Sequence, residues 1–360
     1  MDNAKTKIAI ISHSLGNGGA ERFAGELSFI LNGLHYEIHL IIVNDEVDYP
    51  FSGKLYNLGQ LCQANSGVFK KIRKGFLLRN YLQSENIDII IDNRTRNSLL
   101  RDCFTSMIYG NRKSYFMIHS YYLENYLPKS VFFAKRLYQN AEKLICVSKA
   151  IEEKIIERYG FKNTITIYNP VKEISVTALT TSLPKDYILF YGRLEEHVKN
   201  FSLMLQAFFE SKIYEKGVHL VILGDGSSKK SILTLIEKLK LQESVHVIPF
   251  QKDPFAFVSR ARFTLLTSYY EGFPMSIIES LSLGTPVISV DCNSGPREII
   301  QNEYNGLLVE NHNPTALSQV MKRLVEDQLL LEKVKSNAKL SVAHLSTENI
   351  SKQWKMLLNS

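Results

Sequence analysis

Short apolar runs rich in Ile, Val and Leu recur along this chain, and between them the apolar positions fall at helical spacing. Runs this short, bounded by Gly, Asn and Ser, predict buried parallel strands, and the segments between them predict helices packed on the sheet. The first series comprises residues 7–12, 38–43, 87–91, 114–118, 143–147 and 164–167. Strand alternating with helix predicts a doubly wound α/β domain over residues 1–170, closed by Asn169 and Pro170. Residues 171–184 lack clear periodicity and are rich in Thr and Ser, as expected of a linker. A second series, at 187–191, 219–223, 245–248, 263–267 and 287–290, predicts a second domain of the same kind over residues 185–345. Two such domains in tandem are expected to face each other across a cleft lined by the C-terminal ends of their strands, where open α/β sheets bind ligands.

The most informative stretch lies between the runs at 263–267 and 287–290 and begins at Glu271. Pro274 suits the start of a helix and Gly284 its end, so the unit reads strand, loop, helix, strand. Glu271 falls on the loop and Glu279 in the helix, roughly 7–8 Å further along its axis. The N–H groups expected to open the helix lie in the stretch Phe273, Pro274, Met275 and Ser276, Pro274 itself having none, and that end suits a phosphate or a hydroxyl lone pair. The two carboxylates only accept hydrogen bonds, which suits the hydroxyls of a ribose and a hexose. Acids also gather at helix starts simply to complement the dipole, so the pair alone decides nothing.

Other polar groups cluster at predicted strand ends. After the strand at 187–191 come Arg193 and Lys199, six apart, and an Arg fork with a Lys point charge suits a diphosphate. Gly224 to Gly226 reads as a turn, and Ile248 and Phe250 end another strand as a candidate wall for a base. In the first half, Gly16, Gly18 and Gly19 follow the first strand, where glycines let a backbone approach a ligand. As a dinucleotide fingerprint this is imperfect, because Glu21 stands where a third Gly or Ala belongs, and Asp45 lies further on than a ribose acid should. Arg94 and Arg96 follow the strand at 87–91, His119 ends the one at 114–118, and Tyr121 and Tyr122 could stack on a sugar or sit at a membrane interface.

No acidic residue occurs from Tyr49 to Ser84, whereas Lys54, Lys70, Lys71, Arg73, Lys74 and Arg79 are basic. Phe69, Ile72, Phe76, Leu77 and Tyr81 interleave with them at helical spacing. Such a helix reads either as a membrane-surface element or as a helix whose apolar face packs on the sheet.

Composition narrows the class. The 360 residues, 45% hydrophobic and 22% charged, describe a soluble globular protein of two domains. No apolar run is long enough to span a bilayer, and the N-terminus enters a strand directly without the apolar core of a signal peptide. The scattered Cys62, Cys103, Cys146 and Cys292 form no CxxC pair, so neither a zinc site nor a disulfide framework is indicated and a reducing cytoplasm fits. The net charge of +7 favours anionic partners.

The segment from Glu271 through Glu279 to Ser289 resembles the Glu-x7-Glu signature of the retaining family 4 glycosyltransferases. The glycine loop ahead of Arg22, the Arg193 and Lys199 pair, and the segments at 293–300 and 305–309 resemble further parts of that family, so the likeness spans nearly the whole chain. It implies the GT-B fold, with residues 346–360, which carry Trp354, crossing back to the first domain. It implies retaining transfer of a hexose or N-acetylhexosamine from a nucleotide sugar, with uridine diphosphate as the carrier. Bacterial surface-polysaccharide and lipid-linked oligosaccharide enzymes are similar, so the acceptor is expected to be a glycan or a polyprenyl-diphosphate-linked sugar. Arg193 and Lys199 would neutralise the leaving diphosphate, Glu271 would position the hexose, Glu279 the ribose and His119 the hexose's outer hydroxyls. Many relatives carry a Gly near Pro249, which leaves base recognition here open. No Asp-x-Asp motif occurs, so no catalytic metal or other cofactor is expected, and no nucleic acid. An enzyme of this kind is expected at the inner face of the plasma membrane, with Lys70, Lys71, Arg73 and Lys74 on anionic lipid. Three rivals are a nicotinamide oxidoreductase, a sugar-nucleotide epimerase of similar fold and a non-catalytic membrane adaptor. The oxidoreductase leaves Arg193, Lys199 and Glu271 unexplained, and the adaptor needs none of the three.

Overall fold

The computed structural model describes residues 5–16, 18–64, 66–177 and 183–359. The chain divides into two compact units, Met1–Asn169 with Thr347–Ser360, and Pro170–Ser346. Of the expected linker, residues 171–177 belong to the second unit and residues 178–182 lie outside the described residues.

The first unit is built on a parallel sheet of seven strands: β1 (Lys7–Ser12), β2 (Glu37–Ile42), β3 (Lys54–Asn57), β4 (Ile89–Asp92), β5 (Lys113–Ile118), β6 (Lys143–Cys146) and β7 (Thr164–Thr166). Their order is β3-β2-β1-β4-β5-β6-β7, so the direction of winding reverses between β1 and β4. Ile8, Ile10, Ile11, Ile90 and Ile91 are fully buried, as expected of strands covered on both faces. The helix Thr347–Asn359 joins this unit, packs against the helix Gly19–Gly33 and seats Trp354 in full burial.

The second unit holds a six-stranded parallel sheet: β8 (Tyr187–Tyr191), β9 (His219–Leu223), β10 (Val245–Ile248), β11 (Thr264–Leu266), β12 (Val287–Val290) and β13 (Gly306–Val309). The order β10-β9-β8-β11-β12-β13 places its reversal between β8 and β11. Its core gathers Phe190, Phe201, Phe208, Leu220, Phe263 and Ile288 between strands and helices. In open α/β sheets such a reversal, at the strands' C-terminal ends, is where ligands bind. Two strands, β3 and β13, lie outside both predicted series. β3 is a half-exposed edge strand with little apolar content, and β13 is short and opens on a glycine.

Candidate active site

In the second unit the loops after β8 and β11 meet. A tight turn, Glu196–Lys199, follows β8 and ends at Asn200 in the left-handed conformation at φ 53°. Asn200 then caps the helix Phe201–Ser211, its side-chain oxygen accepting from Leu203 N at 3.2 Å, and Glu196 accepts from Phe201 N at 2.8 Å. The loop after β11 clasps this turn: Thr267 Oγ1 donates to Lys199 O at 2.8 Å and Tyr269 N to Val198 O at 2.8 Å. The result brings Lys199 Nζ to 2.6 Å from Glu271 Oε1, and Ser268 Oγ donates to the same oxygen at 2.6 Å. The Lys199 and Glu271 side chains keep 19% and 12% of their surface in solvent, so the pair is largely desolvated but open to a ligand.

The Glu271 loop is held from behind by the loop after β12. Glu271 N donates to Asn293 O at 3.2 Å and Ser294 Oγ to Gly272 O at 2.7 Å. Gly295 sits at φ 94°, and a Cβ there would lie 2.3 Å from Pro274 Cδ, so only glycine fits that turn against the helix start. Pro274 is the N-cap of the helix Met275–Ser282 rather than its first residue, and Gly284 follows the helix at φ 81°. Phe273 and Pro274 are buried, while Met275 and Ser276 are half-buried. Tyr191, at the end of β8, donates to Ser276 O at 2.7 Å and lies 3.5 Å from Glu279 Oε2. Glu279, in the second turn of that helix, is only 4% exposed.

Arg193 is exposed beside Gly192. Gly224 is forced by close approach: a Cβ there would stand 1.9 Å from Gly192 O, so the loops after β8 and β9 touch backbone to backbone. Ile248 is half-buried against the cluster around Tyr187 and Leu223. Phe250 is 66% exposed, with its N–H held by Asp225 Oδ2 at 2.8 Å. The second unit thus brings together Lys199, Glu271 and the start of Met275–Ser282 beside Tyr191 and Glu279.

In the first unit Gly16 packs against Asp48, Gly18 against Glu21, and Gly19 opens the helix Gly19–Gly33; Asn17 between them lies outside the described residues. At the end of β5, His119 Nε2 lies 2.6 Å from Asn93 Oδ1, and Phe23 stands edge-on to the imidazole at 5.2 Å. Burial, with Arg96 adding, pushes the ring's pKa down to about 3, so His119 is a neutral imidazole at physiological pH.

Several candidate residues of the first unit are engaged within the protein. Arg94 and Arg96 are not available to an acceptor. Arg94 clamps Asp92 through Nε and Nη2 at 3.0 and 2.8 Å, and Tyr109 donates to the same carboxylate at 2.7 Å. Burial opposes ionisation of Asp92, but the Arg94 guanidinium outweighs it and holds the carboxyl well below its usual range. Arg96 donates to the carbonyls of Arg94 and Met117 at 2.8 and 3.0 Å inside a cage of Phe116, Tyr126 and Tyr138. An arginine held by carbonyls and rings in this way braces the sheet edge. Lys154 Nζ lies over one face of the half-buried Tyr121 ring, 3.6 Å from its centroid. Asp45, the candidate ribose acid, instead accepts from Asn57 Nδ2 and Gln63 Nε2 at 2.6 and 2.8 Å.

The basic segment forms the helix Gly67–Ser84. Gly75, Leu78 and Leu82 face inward, and Tyr81 stacks on Tyr56 at 3.8 Å. Phe69, Ile72 and Phe76 face solvent, Phe69 with 81% and Phe76 with 57% of its surface open. Lys71 and Arg73 are exposed, Lys70 is half-buried, and Lys74 Nζ donates to Val43 O. The helix packs beside Leu99–Tyr109, which packs beside Val131–Tyr138, and these two expose Leu100, Met107 and Phe132.

Among the described residues one grouping has metal-ligating reach, Glu37, His39 and Glu85. Lys54 Nζ already stands 3.4 Å from Glu37 and 3.3 Å from Glu85, and the group sits at the opposite, N-terminal end of β2 and β3. No described helix is long and apolar enough to cross a membrane.

Sequence reading did not single out Asn93, Ser268 or Tyr191. Asn93 was visible only as one of several polar residues after a strand, and no local signal marks Ser268 or Tyr191.

Two doubly wound parallel sheets, with a Lys–Glu pair and a helix start at the reversal of the second, define a GT-B fold. Its solved neighbours include a variant of S. aureus TarM in complex with fondaparinux, α-GlcNAc-glycerol and UDP, at a TM-score of 0.80, 17% identity and coverage of 99% of this chain and 100% of that one. HepE from Anabaena, in complex with UDP, aligns at 0.75 with 17% identity over 98% of this chain and 100% of that one. Residues 17–173 match the Glycosyltransferase Family 4 family and residues 172–341 the Glycosyl transferases group 1 family. The N-acetylgalactosamine-N,N'-diacetylbacillosaminyl-diphospho-undecaprenol 4-alpha-N-acetylgalactosaminyltransferase of Campylobacter jejuni is 31% identical over 348 residues, 92% of this chain and 94% of that protein. The chain belongs to these glycosyltransferases.

Proposed function

We propose that this enzyme transfers a hexose or N-acetylhexosamine, with retention, from a uridine diphosphate sugar to a glycan or a polyprenyl-diphosphate-linked acceptor of a surface-polysaccharide pathway. The observation that carries the reading is the Lys199–Glu271 pair at the reversal of the second sheet, beside the start of Met275–Ser282. Cleaving a sugar–diphosphate bond concentrates negative charge on the leaving oxygen, and a fixed ammonium and free helix N–H groups stabilise that charge as it develops. Arg193 adds an exposed guanidinium on the same unit. Glu271 accepts from hexose hydroxyls and Glu279 from the ribose. His119, a neutral ring, offers a lone pair to a sugar hydroxyl.

In the proposed step the anomeric carbon–oxygen bond to the diphosphate breaks and the acceptor oxygen bonds to that carbon on the same face. The acceptor's proton passes to the leaving phosphate oxygen, so no protein carboxylate forms a covalent intermediate and no metal is required. UDP and lipid-linked acceptors in the names of the relatives support the choice of substrates. The acceptor class suggests a site of work at the cytoplasmic membrane surface. Lys70, Lys71 and Arg73, with the outward Phe69, Ile72 and Phe76, are proposed to meet an anionic leaflet there, each cation contributing about 1 kcal/mol.

The test is a screen of labelled nucleotide sugars with membrane lipid extract, scoring transfer to lipid, transfer to soluble glycan and the anomeric configuration of the product. A labelled lipid product with an inverted linkage would overturn retention alone. Isomerisation of the donor without transfer would overturn the reading.

A further inference from the structure

We infer that Asn93 is a positioning residue that fixes His119 as the Nε2–H tautomer, leaving Nδ1 as the hydrogen-bond acceptor that the ring offers to substrate. The inference rests on the proposed role of His119 at the transferred sugar, but its geometry is independent of that role.

Asn93 follows β4 directly, is buried, and is anchored by its own N–H donating to Ile11 O at 2.8 Å. Its side chain spans two elements. Nδ2 donates to Ala20 O at 2.7 Å, in the first turn of the helix Gly19–Gly33, and Oδ1 faces His119 Nε2 at 2.6 Å. An amide assigned from such a network could be flipped, but here only one orientation is chemically sound. The flipped amide would set its oxygen 2.7 Å from a carbonyl oxygen, two acceptors with no proton between them. With Nδ2 committed to Ala20, Oδ1 can only accept, so the proton between the two side chains belongs to His119 Nε2. A neutral imidazole carries one N–H, and Nδ1 is therefore the lone-pair nitrogen.

The surroundings hold the ring neutral. Arg96 is the charged group bearing on it, and its guanidinium disfavours a second positive charge. Phe23, from the same helix as Ala20, stands edge-on and limits rotation of the ring. The glycine loop, β4 and β5 thus converge on the tautomer of one histidine. A ring held as an acceptor selects substrate groups that donate, such as hydroxyls, and would be misplaced against an anionic oxygen. That matches a sugar hydroxyl rather than a phosphate as the partner of His119.

The experiment is nitrogen-15 NMR of the ligand-free enzyme, selectively labelled at histidine, over about pH 5 to 9, a range that brackets the ordinary imidazole value of 6.5. His119 should show the neutral Nε2–H pattern throughout. Asn93→Asp places a carboxylate where only an amide satisfies both neighbours. It should convert the His119 signal to the doubly protonated pattern at the acid end of the range. The same substitution should add an acid limb to the pH profile of kcat and lower transfer at neutral pH by about tenfold, the value of one hydrogen bond near 1.4 kcal/mol. Rescue is expected from Asn93→Gln only if its longer side chain still reaches both partners, which the spectrum reports directly. An Nδ1–H pattern in the wild type, or an Asn93→Asp spectrum and pH profile unchanged from it, would overturn the inference. If the spectra behave as expected and His119→Ala transfers sugar at the wild-type rate, it is the assignment of His119 to the donor sugar that falls.

Discussion

Removing one member of the Lys199–Glu271 pair has two separable consequences. With 2.6 Å between Nζ and Oε1, and 19% and 12% of the side chains exposed, the pair sits between two known regimes. A fully buried pair that loses one partner costs about 3–5 kcal/mol, and an exposed one about 0–1 kcal/mol. Lys199→Met should therefore destabilise the donor-free enzyme by ~1–3 kcal/mol, because Glu271 keeps Ser268 but loses its counter-charge. Glu271→Gln should cost less, since an amide still accepts from Ser268. The double variant should recover part of the loss, a coupling of ~1–2 kcal/mol in urea denaturation. Turnover behaves differently. Each single variant should lose ~10²–10³ in rate at saturating donor, and the double little more than the worse single, because the two groups act as a unit. Glu271→Gln should also bind free nucleoside diphosphate more tightly, since Lys199 no longer has a carboxylate to leave. Zero coupling in stability, or near wild-type turnover in Lys199→Met, would refute the reasoning.

Arg193→Ala should cut turnover by ~10²–10³ with an unchanged urea midpoint, because its exposed side chain supports no packing. In calorimetry with the free nucleoside diphosphate, Glu279→Ala should lose affinity while Glu271→Ala, like Glu271→Gln, gains it and loses transfer; the opposite pattern would exchange their roles. His119 gives a pH prediction: burial pushes its ring down to about 3 in the folded protein from the ordinary imidazole value of 6.5, so between these the unfolded chain takes up a proton that the native state refuses. Stability must then fall as pH drops below 6.5. Unfolding free energy should drop ~1–2 kcal/mol less from pH 7 to 5 in His119→Gln than in the wild type. Co-sedimentation with anionic vesicles should weaken as salt shortens the Debye length from about 10 Å at 0.1 M to 3 Å at 1 M. Binding that persists at 1 M salt but fails in a Phe69→Ser, Phe76→Ser variant would show that the aromatics, not the cations, hold the surface.

Periodicity made the strands legible where burial is complete on both faces, as at Ile8 to Ile11 and Val287–Val290. It failed at β3, whose half-exposed residues Lys54 to Asn57 carry no apolar run. Glu271 and Lys199 could be located because loop and turn punctuation put them after strands, and Glu279 because Pro274 and Gly284 bracket its helix. Their contacts could not be read, since the 2.6 Å pair depends on Thr267 and Tyr269 clasping a turn nearly seventy positions earlier, at |i−j| of 68 for the threonine. Arg94 and Arg96 mark the limit most clearly. A cation after a strand reads as a ligand group, but the direction of its guanidinium is decided by partners, here Asp92 and an aromatic cage, that only the folded sheet supplies.

The return of Thr347–Asn359 to the first unit has a consequence for the order in which the protein is made. Val171 N donates to Leu345 O at 2.8 Å and Val171 bridges Ser346, so the segment 170–346 begins and ends at one place, as an insertion in the first unit's chain. During synthesis the segment that buries Trp354 and joins Asn359 to Tyr36 emerges only after residues 170–346. The unit that is begun earlier is therefore completed after the one inserted in it, and a ribosome that stops short at residue 346 releases a finished second unit attached to an unfinished first one.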